Sequence, residues 1–333
     1  MNKHIFKLFY KKIIFLSLIV VTFFIFGCAS NLTGNVINVP NETSKAAEVY
    51  FCPEDDCGKV IENRINNANS SVHCALYDID LKNVINALAK KSKNIDVKVV
   101  MDNSNNQSQI KGDAVELDDG NQLMHNKFCV IDNKIVITGS FNPTYNDNYK
   151  NNNNVAVIYS NALSGNYEDE FEELWEGKFG KGNGVKYPIV YVNEIKIENY
   201  FCPEDDCASH IAGLIKNANR NVYFMSFSFT NKEIADALIA KRGLDIKGIV
   251  DSGQSSGKFS QLKRLQDFAI NVKKDNNKYK MHHKVFVIDN ETVATGSFNP
   301  TSSADTKNDE NIVIIHDKKI AGSFLKEFDR LWS

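Results

Sequence analysis

"LMHNKFCVIDNKIVITGSFNPT" occupies residues 123–144, and nearly the same line returns as "KMHHKVFVIDNETVATGSFNPT" at residues 280–301. Each is an apolar run broken by a histidine and a lysine two positions apart, followed by an Asp-Asn pair and a second apolar run. The pattern predicts a β-hairpin: a strand through MHNKFCVI, a turn at Asp132-Asn133 and a return strand through KIVITGS. Side chains at i and i+2 of a strand share a face. His125 therefore projects with Lys127, and His282 with Lys284. Ser140 with Asn142, and Ser297 with Asn299, are spaced in the same way.

Outward from these runs the chain repeats itself. "VYFCPEDDC" at 49–57 returns as "NYFCPEDDC" at 199–207, and "FEELW" at 171–175 returns as "FDRLW" at 328–332. The offset is 150 residues at the cysteines and 157 at the later motifs, so the second copy is the longer between them. Solenoid periods run to about 50 residues, so this is a duplicated domain. The boundaries expected are 46–178 for the first copy, 179–190 for a linker continuing the Gly/Lys-rich stretch GKFGKGNGVK, and 191–333 for the second. Each copy alternates short helices (60–68, 211–218; then LKNVINALAKK and NKEIADALIAK) with strands (SVHCALYDI and NVYFMSFSF; DVKVVMD and DIKGIVD). That alternation argues for α/β layers around a largely parallel sheet. A last strand, NVAVIYS or NIVIIHD, and the Phe/Leu/Trp helix close each copy.

The 333 residues are 43% hydrophobic and 24% charged, an ordinary globular composition. Lys3, Lys7, Lys11 and Lys12 precede an apolar run from Ile13 to Phe26 that ends in Gly27-Cys28-Ala29-Ser30. This reads as a signal peptide or membrane anchor over residues 1–28, with Cys28 a lipidation candidate. It places the rest of the chain on the extracytoplasmic face of the cell membrane, or secreted. Residues 29–45 lack periodicity and read as a tether. Without the four N-terminal lysines, 35 Lys+Arg face 41 Asp+Glu, which excludes a globally basic nucleic-acid binder. One stretch runs against that balance: Lys241 to Lys284 holds 11 Lys/Arg and 4 Asp/Glu. In an exported protein, Cys52/Cys57 and Cys202/Cys207 are candidates for two local disulfides, with zinc and free thiols as the other readings. Cys74 and Cys129 fall where the other copy has Phe224 and Phe286, and read as buried apolar residues. His73, His210, His283 and His316 have no evident partner, and His283 should point away from the site.

An imidazole beside a fixed ammonium can attack phosphorus while the cation offsets phosphate charge, without a metal or other cofactor. Ser140, Asn142, Ser297 and Asn299 offer neutral donors to non-bridging oxygens. One histidine cannot easily be nucleophile and leaving-group acid together, and two copies supply one for each role. The doubled His-x-Lys-x4-Asp with its Gly-Ser-x-Asn tail resembles the signature of the phospholipase D superfamily over nearly all of residues 46–333.

The resemblance implies two α/β/α sandwich domains about a pseudo-twofold axis, both motifs meeting at one site, and a phosphohistidine intermediate resolved by water or an alcohol. Asp132 and Asp289 fall at the hairpin turns, where a turn-shaping role is the simpler one. Members usually carry a carboxylate at the start of the last strand to orient a histidine. Here that position is Glu310 in the second copy and Asn153 in the first. Were each to serve its own copy, His282 would be the better-supported imidazole. Two-domain relatives point the other way, and His125 is taken as nucleophile with His282 as general acid. The compact copies suggest a nuclease; a phospholipase D acting on phospholipid headgroups and a non-catalytic phosphate-binding module are the alternatives. With both motifs in one chain, a monomer is expected.

Overall fold

The computed structural model describes residues 39–105 and 114–333; the N-terminal apolar run, Cys28 and the tether as far as residue 38 lie outside them. The first half runs β1 (Asn41–Glu42), β2 (Glu48–Cys52), α1 (Cys57–Asn66), β3 (Ser71–Leu76), α2 (Lys82–Lys91), β4 (Asp96–Met101), β5 (Val115–Leu117), β6 (Lys127–Ile131), β7 (Ile135–Gly139), α3 (Tyr145–Tyr149), β8 (Asn153–Tyr159) and α4 (Asn161–Trp175). The second half runs β9 (Ile189–Val192), β10 (Ile195–Cys202), α5 (Cys207–Asn217), β11 (Asn221–Ser226), α6 (Lys232–Ala240), β12 (Asp245–Val250), α7 (Leu262–Asp267), β13 (Asn271–Lys274), β14 (Lys284–Ile288), β15 (Thr292–Gly296), α8 (Ser302–Thr306), β16 (Glu310–Ile315) and α9 (Lys318–Trp332).

The hairpins form where the motif runs place them. Asp132 and Asn133 adopt φ of 55° and 49°, and Asp289 and Asn290 adopt 55° and 60°. A tight two-residue turn of type I′ needs positive φ at both positions, which Asp and Asn tolerate. Each aspartate is fixed further by the loop before β3 or β11. The Asp132 carboxylate accepts backbone N–H groups of Asn69, Ser70 and Ser71 at 2.7–3.1 Å, and Asp289 accepts those of Asn219, Arg220 and Asn221. Burial works against ionisation of Asp132, but these donors win and hold it down at about 2. Both aspartates therefore shape the turns.

The first half builds a seven-stranded sheet of order β2-β8-β7-β6-β3-β4-β5, and the second the same order with β9 and β1 added at one edge. The expected largely parallel sheet is corrected: only the β3–β4 and β4–β5 pairs of the first sheet are parallel, the other four antiparallel. The hairpin forces this, because a two-residue turn can join only antiparallel neighbours. The fold is mixed α/β with one sheet per copy.

Helices α1 and α2 bury Ile61, Ile65, Val84 and Leu88 on one face of the first sheet, and α5, α6 and α7 cover the matching face of the second. Between the sheets lies a shared core in which α4 and α9 contribute Phe171, Phe324 and Phe328 beside Phe128, Val130, Val285 and Val287. Each such side chain contributes about 1.5–3 kcal/mol of burial, so this layer holds the halves as one body.

Residues 39–45 are not a free tether. Asn41 and Glu42 pair in parallel with Tyr191 and Val192 of the second half. The Glu42 carboxylate accepts the N–H groups of Asn161 and Ala162 and the Ser160 hydroxyl, at the N-terminus of α4 in the first half. The segment lacks a periodic pattern because it adds two residues to an edge and one cap, too little to write a period. Phe179 and Val190 of the 179–190 stretch are buried as well.

Three disulfides are present among the described residues. Cys52–Cys57 and Cys202–Cys207 close the local loops that the spacing suggested. Cys74–Cys129, read from sequence as two buried apolar residues, is a third bridge. These two face each other across β3 and β6 with Cα atoms 4.1 Å apart. Phe224 and Phe286 occupy the same register in the second sheet and stack at 5.8 Å.

Candidate active site

Strand β6 begins at Lys127 and β14 at Lys284, so each histidine sits just ahead of its strand. The residues before them are held by the opposite copy. Met124 bridges Asp309, and Met281 bridges Asn152, both in parallel. His125 N–H donates to the Asp309 carbonyl at 3.0 Å, and His282 N–H to the Asn152 carbonyl at 2.8 Å. Reciprocal contacts of this kind are what a twofold axis produces. Asp309 and Asn152 directly precede the strands that carry Glu310 and Asn153.

The side chains follow the backbone across. His125 Nδ1 lies 2.8 Å from Glu310 Oε1, and His282 Nδ1 lies 2.8 Å from Asn153 Oδ1. Each orienting residue thus serves the other copy's histidine, correcting the same-copy pairing considered from sequence. The physical reason is strand entry: β8 and β16 begin at the interface between the halves, aimed at the opposite motif. Both acceptors are oxygens, so Nδ1–H donates and Nε2 is left with its lone pair.

Lys127 Nζ donates to the His125 carbonyl and Lys284 Nζ to the His282 carbonyl, each at 2.7 Å. All four motif side chains are buried. Burial pushes Lys127 down to about 8 and Lys284 well below its usual value, with the Lys127 charge adding to the effect on Lys284. Burial likewise pushes His125 well down and His282 to about 4, with both lysines adding to the effect. Glu310 is raised by its burial to about 8, against the pull of the same lysines. The four side chains form a buried cluster short of an anion, and a phosphate would relieve the downward shifts of both lysines and both histidines. Tyr77 stands edge-on to His125 at 4.7 Å, and Phe227 edge-on to His282 at 4.8 Å.

The Gly-Ser-x-Asn tails do something other than expected. Gly139 and Gly296 have φ of 146° and 150°, and a Cβ on either would fall within 2.3 Å of the Asn154 or Asn311 carbonyl. Only glycine lets β7 and β15 pass so close to the next strand. The following hydroxyls are then committed locally: Ser140 Oγ accepts Asn154 N–H at 3.0 Å, and Ser297 Oγ accepts Asn311 N–H at 2.9 Å. The serines frame the strands that bear Asn153 and Glu310, and are not free donors for phosphate oxygens. Asn142 turns its Nδ2 and backbone N–H to Asp147 Oδ2, at 2.8 and 2.9 Å. In the second copy the position matching Asp147 is Ala304, which offers Asn299 no carboxylate.

Sequence reasoning missed Asp147, Tyr77 and Phe227. It also missed the partners of other histidines. His283 lies 2.9 Å from Asn154 Nδ2 and 3.2 Å from Glu327, inside the interface beneath the site. His316 pairs with Glu198 at 2.6 Å, and His210 stacks on Tyr200. His73, Glu168 and Glu172 converge closely enough to hold a cation. Both nitrogens of that imidazole, however, are taken by Glu168 and Asp96, at 2.8 and 3.2 Å, so the cluster is an ion-pair network.

Paired histidines and lysines from two like halves, meeting in one buried cluster, define a phosphodiester-handling site. The chain belongs to the phospholipase D superfamily: residues 61–175 and 211–332 match the family model "Cardiolipin synthase, PLD-like domain". It is a phosphodiesterase of that type. A phospholipase D of Rickettsia felis is 33% identical over 181 residues, spanning 52% of this chain and 90% of the relative. The mitochondrial cardiolipin hydrolase of Xenopus tropicalis is 34% identical over 150 residues, 44% of this chain and 70% of the relative. The crystal structure of phosphatidylserine synthase from Haemophilus influenzae has the same fold over 89% of this chain and 88% of its own, with a TM-score of 0.66 at 13% identity.

Proposed function

We propose that the protein hydrolyses a nucleic-acid phosphodiester through a covalent phosphohistidine. His125 Nε2 attacks phosphorus and the P–N bond forms. The P–O bond to the leaving group breaks, and that oxygen takes a proton from His282, whose protonation the bound phosphate anion favours. Water then loses its proton to His282, attacks phosphorus and displaces His125. Lys127 and Lys284 offset the charge on the non-bridging oxygens, and Glu310 supports the imidazole that carries the phosphoryl group. The lysines supply the charge a metal would bring, so turnover survives EDTA in this scheme; its loss in EDTA sinks it.

The observation that carries the choice of substrate is a strip of aromatic and basic side chains leading away from His282. Lys280 Nζ lies 5.6 Å from the Phe227 ring. Lys150 Nζ lies 5.1 Å from the Tyr145 ring and 5.3 Å from the Tyr279 ring. Tyr145 packs on Tyr149 at 5.0 Å, and Tyr145, Tyr149 and Tyr279 are 43–55% exposed. On the His125 side of the site the matching positions hold Ser302, Thr306 and Gln122, so the strip is one-sided. Lysines set among exposed tyrosines suit a strand whose phosphates and bases alternate, base stacking being worth about 1–3 kcal/mol each.

The names of the relatives favour phospholipid as a second reading. Incubating the protein with single-stranded DNA, with RNA and with anionic liposomes separates the two. Release of headgroup with both nucleic acids intact overturns the nucleic-acid reading.

We further propose a monomer held at the extracytoplasmic face of the membrane by residues 1–28. Three disulfides support an oxidising compartment, and fractionation of cells with and without that segment tests the placement.

A further inference from the structure

The two halves place one carboxylate each beside the opposite histidine, but at different positions of the chain. In the second half it is Glu310, at the start of β16, and α8 carries Ala304. In the first half the strand position holds the uncharged Asn153, while α3, the counterpart of α8, carries Asp147 where its equivalent is alanine. Asp147 Oδ2 lies 3.5 Å from His282 Nδ1, just behind the 2.8 Å contact to Asn153 Oδ1. Asn153 is itself oriented by Ser140 Oγ, which donates to the same Oδ1 at 3.2 Å. Its Nδ2 donates to the Asp147 carbonyl at 3.4 Å.

We propose that Asp147 is the positioning carboxylate of His282, the charge found on the strand at Glu310 having its counterpart here on a helix with an asparagine interposed. Asp147 does not reach the reacting phosphorus; it acts through the imidazole.

Its surroundings suit a permanent anion. The carboxylate is 3% exposed and accepts Asn142 N–H and Nδ2 on Oδ2 and Asn151 Nδ2 on Oδ1, the last at 2.6 Å. Burial pushes its pKa up, but the His282 charge and these donors hold it well below the usual carboxylate range. The other charges facing His282 are Lys284 on β14 and Lys127 on β6, which both oppose its protonation, with His125 close by. Among these groups Asp147 favours the imidazolium, the form a leaving-group acid needs.

The inference rests on the two-histidine reading for its link to turnover, so the test has an arm independent of activity. Three variants are compared: Asp147→Ala, the near-isosteric Asp147→Asn, and Asp147→Ala with Asn153→Glu, which rebuilds the second half's arrangement in the first. In NMR titrations from neutral pH downward, His282 of the wild type and of the double variant should gain its proton near pH 4, as the wild-type environment sets it. In Asp147→Asn it should stay neutral over the same range. A His282 titration in Asp147→Asn superimposable on wild type overturns the proposal, whatever the enzyme does to its substrate.

In the kinetic arm, kcat on a chromogenic phosphodiester should fall about tenfold or more in Asp147→Asn with KM little changed, and recover to within a few-fold in the double variant. Equal loss in the folded double variant also overturns it, since a tie holding the Asn142 loop in place would not be restored from residue 153. Absence of wild-type turnover on every diester would count against the proposed function and leave the titration to decide the role of Asp147.

Discussion

The two halves share a motif, a sheet order and an interface, yet they stabilise and tune these by different means. Where the first sheet bridges β3 to β6 with Cys74–Cys129, the second stacks Phe224 on Phe286 at the same register. Where the second half offers Glu310 directly to His125, the first offers Asn153 to His282 with Asp147 behind it. The first contrast concerns stability, since a covalent link and a pair of large apolar rings both fix adjacent strands. The second concerns chemistry. A buried carboxylate in contact with an imidazole best supports a histidine that must carry a positive phosphoryl-imidazole. A histidine that must give a proton away and take it back is served by a softer, amide-mediated contact. The contrast fits His125 as nucleophile and His282 as general acid.

That assignment is most sharply tested by replacing each histidine. His125→Asn and His282→Asn should each lower turnover by about 10³-fold or more. Brief exposure to a diester labelled at phosphorus should leave label on His125 in the His282→Asn protein and none in the reverse variant. Label on His282 instead would invert the comparison between the halves.

The orienting residues come next. Glu310→Gln should cost about 10²–10⁴ in kcat and Asn153→Ala about tenfold, read from the same assays. Equal losses would mean that the two contacts are equivalent despite their chemistry.

Replacing Lys150, Lys280 and Lys278, whose Nζ lies 5.1 Å from the Tyr279 ring, together by alanine should raise KM for single-stranded DNA several-fold and flatten its dependence on salt, leaving kcat within about twofold. Lys307→Ala, at the position matching Lys150 on the His125 side, should show no such effect.

The pH profile sharpens the comparison further. Lys127 in the free enzyme loses its proton above about pH 8, and with it a charge that binds the phosphate. kcat/KM, which reports the free enzyme, should therefore fall as pH rises through that value. The two histidines work in the opposite window for stability. His282 is lowered from 6.5 to about 4, so between those values the unfolded chain binds more protons than the folded one, and stability rises with pH there. His282→Asn should reduce that slope.

Smallest in effect on activity, Cys74→Ala with Cys129→Ala should lower stability by about 2–4 kcal/mol and leave kcat near wild type.

Much of this was written in the chain in readable form. The repeated motif runs carried the hairpins, because alternating apolar residues around an Asp-Asn pair leave the backbone few other choices. The same runs carried the lysine and histidine pairs. What the sequence did not show is what depends on the halves meeting. The exchange of Glu310 and Asn153 between copies is a property of packing, and no local pattern encodes which motif a strand start will face. Cys74 and Cys129 lie 55 residues apart and become neighbours only through the β3–β6 register. Asp147 hides in a five-residue helix too short for a periodic signal, although aligning the copies at 147/304 and 153/310 exposes it as one carboxylate moved. The Ser140 and Ser297 hydroxyls look available in sequence and are consumed by the strands beside them.

The reciprocal bridges at Met124–Asp309 and Asn152–Met281 carry a consequence for how such an enzyme can change. Neither repeat can complete a catalytic centre alone, because each borrows its orienting residue from the other. Two separate identical chains meeting about a true dyad would satisfy the same bonds, but every mutation would then appear twice, once on each side of the phosphorus. Fusing the repeats into one polypeptide removes that doubling. One side is free to become the better nucleophile, and the other to acquire a proton relay and an aromatic landing strip.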